Sequence, residues 1–209
     1  MELENDGVLI RRAREGDEDA FAIFVRRYKD SLVNYLVHLT RSRERAEEIA
    51  QDAFVRFYRN VEKCRDEARL GAYLFRIATN LTVTQVRREQ RWHRLLPRLV
   101  ALQPRSAPQA DVALMTAEIQ EQVAAALERL PIKFRAPLIL LEIEEWSCQE
   151  ISIALGCRVG TVKSRLSRAR AMMRAQLESW WLGGNHDGRR SWDCPAATAT
   201  ASGIATIRV

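Results

Sequence analysis

The sequence predicts an all-α protein of two helical domains joined by a flexible linker, and three observations carry that reading. Apolar residues recur at helical rather than alternating spacing. Glycine and proline are scarce up to Arg94, so few breakers interrupt the spacing. A stretch holding Pro97, Pro104, Ser106 and Pro108 then breaks the pattern, dividing the chain into 1–96 and 112–181 with a linker at 97–111. Hydrophobic residues make up 47% of the 209, enough for packed cores.

In the first half, Phe21, Phe24, Val25, Tyr28, Leu32, Tyr35 and Leu36 line one face of an expected helix over 17–39. The clearest pattern follows over 42–61, where Ala46, Ile49, Ala50, Ala53, Phe54, Phe57 and Val61 form a single stripe. Residues 63–67 have no apolar period and read as a loop. A third helix over 69–92 is expected to pack through Tyr73, Leu74, Ile77, Leu81 and Thr84. A second helical block occupies 112–181. The remainder, 182–209, turns to glycine and then to Ala, Thr and Ser with few large apolar residues, and disorder is expected there.

The chain carries 33 Lys+Arg against 27 Asp+Glu, a formal charge of +6. Distribution matters more than the sum. Residues 158–177 hold six Lys/Arg and no acid, and 85–105 hold six Arg and one Glu. Acids gather near the start and around 142–150. Two separated basic patches point to two contacts with a polyanion, for which DNA is the ordinary candidate. No run approaches the roughly 18 apolar residues of a membrane helix, and no basic-then-apolar leader opens the chain, so a cytoplasmic protein is expected. Cys64, Cys148, Cys157 and Cys194 are scattered without ligand spacing, which predicts free thiols and no metal. His38, His93 and His186 lie far apart, near no evident nucleophile or carboxylate pair. No cofactor, small-molecule substrate or catalytic site is expected.

The strongest local signal lies at 146–177. Ser147 and Glu150 have capping-box spacing, and Ile151, Ala154 and Leu155 form a short buried stripe. Gly156 supplies the left-handed residue of a tight turn. A second helix follows with Val162, Leu166, Ala169, Met173 and Leu177 inward, and Lys163, Arg165, Arg168, Arg170 and Arg174 on its other faces. Short helix, glycine turn and longer basic helix make a helix-turn-helix, whose second helix enters the major groove. Arg170 and Arg174 lie far along it and are expected at phosphate or solvent.

These segments resemble a known family. Ala136-Pro-Leu-Ile-Leu140, Ser147-Cys-Gln-Glu-Ile-Ser-Ile-Ala-Leu-Gly156 and Gly160-Thr-Val-Lys-Ser-Arg165 with Arg168-Ala-Arg170 are similar to the fourth domain of extracytoplasmic-function (ECF) sigma factors. Ala46-Glu-Glu-Ile-Ala-Gln-Asp-Ala-Phe-Val-Arg56 and Ala72-Tyr-Leu-Phe-Arg-Ile-Ala-Thr-Asn80 resemble the second domain's core-binding and promoter-melting helices. Leu70 and Tyr73 stand where the family usually has Phe and Trp; both replacements are apolar, though base stacking near Tyr73 can differ.

The resemblance implies an alternative sigma factor that binds core RNA polymerase and directs initiation at promoters carrying −35 and −10 elements. The outer face of the 42–61 helix begins too acidic for DNA phosphates and suits a basic protein partner. By resemblance that partner is the clamp coiled coil of the largest polymerase subunit, met by Glu48, Gln51, Asp52 and Val55, with the flap as a further contact. Lys63, Arg65, Tyr73, Arg76, Asn80, Arg87 and Arg88 would serve the −10 element. Asn80 can read a base because its amide donates and accepts. Arg158, Thr161, Lys163, Ser164, Ser167 and Arg168 would serve the −35 element. An anti-sigma protein, often membrane-bound, is the further partner implied. A stand-alone helix-turn-helix regulator is the alternative; the acidic helix and the lack of a dimerisation heptad speak against it.

Overall fold

The computed structural model describes residues 5–60, 69–95 and 114–183. The expected loop at 63–67 and linker at 97–111, with Lys63 and Arg65, lie outside them, as does 184–209. The described residues are all helix and connecting turn, with no strand among them.

Helix α1 (Asp6–Arg14) starts behind Asn5, whose side chain accepts the Gly7 amide hydrogen at 3.0 Å. No apolar period announced this short helix. Leu9, Ile10 and Ala13 bury its inner side, and Asp6 ties it to the next helix by accepting from the Arg27 guanidinium and the Tyr28 hydroxyl. Helix α2 (Glu18–Thr40) is capped by Asp17, which accepts from the Ala20 amide at 3.1 Å. The Arg12 guanidinium, 2.7 Å from Asp17, is the main reason that carboxyl sits below its usual range. Arg41 ends α2 in the left-handed region at φ 62°, donating its amide to the Val37 carbonyl at 2.8 Å.

Helix α3 (Arg43–Asn60) begins where the Ser42 hydroxyl accepts from the Arg45 amide at 3.3 Å. Of the expected stripe, Ala46, Ile49, Ala50, Ala53, Phe54 and Phe57 are buried, and Val61 lies outside the described residues. The rings of α3 join those of α2, with Phe57 stacked on Phe24 at 4.8 Å. Helix α4 (Leu70–Leu95) closes this first bundle. Its packed side differs from the expected one. Thr84 is exposed, with its hydroxyl bonded back to the Asn80 carbonyl at 2.8 Å, and Tyr73, Ile77 and Leu81 are only half-buried. Leu70, Ala72, Leu74, Phe75, Ala78, Thr79 and Thr82 are among the buried positions. The reason is that α4 packs against α2 and α3 and also against a helix of the second half, and a helix covered on several sides shows no single stripe.

The second half contains α5 (Leu114–Arg129), α6 (Ile132–Glu142), α7 (Cys148–Ala154) and α8 (Val159–Gly183). Pro137 sits inside α6 among buried neighbours, where it cannot supply a backbone donor. The second half leans on the first, with α6 against α2 and α7 against α4. Arg135 of α6 is the buried charge of this joint. It donates to the carbonyls of Leu130 at 3.0 Å, Glu128 at 2.9 Å and Leu39 at 3.2 Å. Those carbonyls belong to the ends of α5 and α2, where intrahelical donors run out. Burial pulls its pKa down, followed by Arg41 nearby, against Glu128.

Gly71 opens α4 directly over Tyr28: a Cβ there would lie 2.6 Å from the Tyr28 hydroxyl oxygen. That hydroxyl is held by Asp6 and cannot swing away without breaking the α1–α2 tie. Gly71→Ala gains about 1 kcal/mol of helix propensity but overpacks at about 1–3 kcal/mol. We expect a net loss of stability in urea unfolding; an equal or higher midpoint would contradict this packing.

Candidate functional site

The helix-turn-helix forms as its residues dictate. The Ser147 hydroxyl oxygen accepts from the Glu150 amide at 3.3 Å, and the Glu150 carboxylate accepts from the Ser147 amide at 2.8 Å, so both halves of the capping box are made. Gly156 takes φ +60° in the turn, and the Arg158 carbonyl accepts the first amide hydrogens of α8, from Thr161 at 2.8 Å and Val162 at 3.1 Å. Val162, Leu166, Ala169 and Met173 are buried, which turns Lys163, Ser164, Ser167 and Arg168 outward. Arg158 is exposed and Thr161 half-buried beside them. The N-terminal turns of α8 thus present cations and hydroxyls on one free surface, the chemistry that base edges and phosphates accept.

Two arginines of α8 are committed within the fold. Arg170 pairs with Glu142 of α6 at 2.7 Å, the Glu142 side chain being only 14% exposed. Arg170 stays exposed to solvent, as its position suggested, while tying α8 to α6. Arg165 is half-buried, its guanidinium 3.8 Å from the Cys157 sulfur. An open groove of about 470 Å³ between these helices has Leu141, Leu166 and Ala171 on its walls and Lys163, Arg170 and Arg174 along it. Cys148 and Cys157 are free thiols.

On α4, Arg76, Asn80, Arg87 and Arg88 are exposed, and Tyr73 is half-buried with its ring 6.0 Å from Phe57. Buried and exposed positions alternate closely here: Phe75 and Thr79 are inside, Arg76 and Asn80 outside. Thr79 is fixed by bonds to the Tyr35 hydroxyl and the Phe75 carbonyl, both 2.8 Å. The neighbouring Asn80 is thereby displayed from a rigid stretch of helix.

Glu48, Gln51, Asp52 and Val55 are all exposed on one side of α3. Asp52 pairs with Arg56 at 3.0 Å and Glu47 with Arg43 at 2.9 Å, exposed pairs that are screened and contribute little stability. Val55 is 47% exposed, and Tyr58, one turn further, is 48% exposed. An exposed valine and tyrosine at i, i+3 beside acids make a mixed apolar and acidic patch. Tyr58 escaped the sequence reading because its helical position is shared by solvated and docking residues alike; only its exposure marks it.

Residues 24–92 match the family model described as Sigma-70 region 2, and residues 120–173 that described as Sigma-70, region 4. The ECF RNA polymerase sigma factor SigW of Bacillus subtilis is 32% identical over 176 residues, covering 80% of this chain and 94% of that protein. The ECF RNA polymerase sigma-E factor of Escherichia coli is 30% identical over 187 residues, covering 79% and 90%. Among solved structures, CnrH in complex with the cytosolic domain of CnrY superposes with a TM-score of 0.60 at 25% identity, over 84% of this chain and 99% of that one. The sigma factor RpoE of Bartonella quintana, solved with the anti-sigma factor NepR, gives 0.57 at 24% identity, over 76% and 96%, and shares the fold.

Proposed function

Because the chain belongs to the ECF sigma factors of RNA polymerase, we propose that its exposed surfaces divide one task among them: α3 docks on the polymerase, α4 serves the −10 element and α8 the −35 element. The chain is an alternative sigma factor, binding core RNA polymerase and directing promoter-specific initiation. The observation that carries the division of labour is the charge arrangement, an acid-led patch on α3 beside two helices that turn Lys, Arg, Ser and Asn outward. Residues 1–96 and 112–181 act as the two sigma domains, and 97–111 links them. Polymerisation chemistry is left to the core enzyme, so no catalytic residue is assigned.

Glu48, Gln51, Asp52 and Val55, with Tyr58 added, form the docking patch for the basic clamp of the largest subunit, and the flap takes the second domain. Arg76, Arg87 and Arg88 hold phosphates of the opened strands and Asn80 reads a base, with Tyr73 beside it and Lys63 and Arg65 contributing from the preceding segment. Each base step that opens costs stacking of about 1.4 kcal/mol, and capture of an unpaired base offsets part of that cost. Arg158, Thr161, Lys163, Ser164, Ser167 and Arg168 face the −35 element. An anti-sigma protein that covers the docking surfaces is the regulatory partner, a reading supported by the NepR and CnrY complexes of the two similar structures. The protein acts in the cytoplasm, where its polymerase is; no described helix is long and apolar enough to cross a membrane. A stand-alone helix-turn-helix regulator would leave the region 2 match over 24–92 without a role.

Reversing the charge of the α3 patch with Gln51→Ala and Asp52→Arg is expected to weaken core binding while helicity stays normal, because neither residue touches the buried stripe. Unchanged affinity for core would remove α3 from the interface. Run-off transcription from a library of upstream-element variants tests the other end. Core with the chain is expected to start at sites that core alone does not use. Arg168→Ala should relax preference at one upstream position, by about 1–3 kcal/mol, whereas Arg174→Ala, further along α8, should leave preference untouched and only soften the salt dependence. Identical profiles for the two variants would contradict the assigned orientation of α8.

A further inference from the structure

A directed chain of hydrogen bonds runs from the core of the first bundle to the base of Asn80. Tyr35 of α2 is fully buried, and its hydroxyl oxygen lies 2.8 Å from that of Thr79. Thr79 donates its own hydroxyl hydrogen to the Phe75 carbonyl, also at 2.8 Å. In the first bond, therefore, Tyr35 donates and Thr79 accepts. Burial holds the Tyr35 hydroxyl above its ordinary pKa range, which keeps the donated hydrogen in place. The exposed Asn80 follows Thr79 directly, and its carbonyl accepts in turn from the Thr84 hydroxyl at 2.8 Å.

The other restraints on this part of α4 are softer. Leu74, Phe75 and Ala78 are buried, but apolar burial is non-directional and tolerates a small turn of the helix about its axis. Tyr73, Ile77 and Leu81, half-buried around them, widen the apolar side rather than sharpen it. The buried Thr82 hydroxyl bonds to the Ala78 carbonyl within α4 itself, so it leaves the rotation free. Arg45 and Glu89 pair at 3.0 Å further along, between side chains about half open to solvent, and such pairs restrain little. The rotation matters because a polar group about 5 Å from a helix axis moves by ~2 Å when the helix turns by about 20°. A hydrogen bond to a base edge is lost over a smaller shift than that.

We propose that Tyr35, a residue too deeply buried to meet DNA, is a positioning residue for promoter reading: its hydroxyl, acting through Thr79, holds α4 at the rotation that brings the Asn80 amide onto its base. The proposal rests on the assignment of Asn80 to the −10 element made above. It adds that base discrimination at that element is governed from the core of the first bundle, one helix away from the contact. Without the Tyr35 hydroxyl α4 is free to turn, and Asn80 then meets right and wrong bases with a smaller difference. Arg87 and Arg88 reach phosphate on long side chains that follow such a turn. Phosphate carries no sequence information, so discrimination is lost while overall binding is kept.

The test is run-off transcription by holoenzyme on a library of −10 variants, the upstream element held constant, for wild type, Tyr35→Phe, Thr79→Val, Thr79→Ser and Asn80→Ala. Tyr35→Phe deletes one oxygen, keeps the ring against Phe75 and leaves Thr79 its bond to the Phe75 carbonyl, so the fold is spared. Thermal melting checks this, and Thr79→Val decides should Tyr35→Phe unfold. Asn80→Ala identifies the position that is read. There, Tyr35→Phe and Thr79→Val are expected to shrink discrimination by roughly 5-fold, the lower end of what one base contact supplies. Thr79→Ser keeps the hydroxyl and should retain the wild-type profile. Adding Tyr35→Phe to Asn80→Ala should change nothing further, and affinity for core should stay as in wild type. A merely structural Tyr35 would lower output from every promoter alike and leave the profile intact, a result that overturns the proposal while the assignment of Asn80 stands. If Asn80→Ala itself leaves the profile unchanged, that assignment fails and the positioning role falls with it.

Discussion

Phe75 is clasped from two directions, by Tyr35 of α2 at 5.3 Å and by Trp146 ahead of α7 at 4.6 Å. The arrangement of the described helices follows from that position. Its α2 side, continued by the buried Tyr35–Thr79 hydrogen bond, seats α4 on the first bundle and fixes the rotation of the helix. Fixing the rotation decides that Arg76 and Asn80, each one residue beyond a buried neighbour, face outward. Its Trp146 side brings the second half onto the first. One ring thus sets both the display of a DNA-facing helix and the contact that keeps the two halves together.

Charge is sorted on the same scaffold, although the acids of α3 are partly cancelled by Arg43 and Arg56 beside them. Acids lead the exposed face of α3, while the outward turns of α8 carry cations and hydroxyls. A field divided in this way orients a partner before contact, since phosphate is attracted by the outward turns of α8. Other charged side chains serve architecture. Arg170 and Glu142 fasten α8 to α6, and Arg135 satisfies carbonyls at the ends of α2 and α5.

Several features were legible in the residues because each rests on local physics. The described part of the α3 stripe, the Ser147 capping box and the Gly156 turn are all settled within a few residues of chain, and formed as read. What escaped depends on partners distant in sequence. The packed side of α4 was assigned through Thr84, which is exposed, because the pattern could not announce that α7 would cover a further side. Arg170 is exposed as read, but its pairing with Glu142, 28 residues away, was not announced by the pattern. Helix α1 was missed because its nine residues carry too short a period, and its anchor, Asp6 on Arg27 and Tyr28, is again tertiary. Among the proposed contacts, Val55 came from the family resemblance, whereas Tyr58 needed its exposure to be seen.

The central claim is that α3 meets the polymerase while α8 faces promoter DNA. Its most direct measurement is photo-crosslinking in the initiation complex from position 55 and, separately, from position 167, both exposed. Position 55 joined to the largest polymerase subunit and position 167 joined to upstream promoter DNA is the predicted result. Position 55 joined to DNA, or position 167 joined to protein alone, would contradict it.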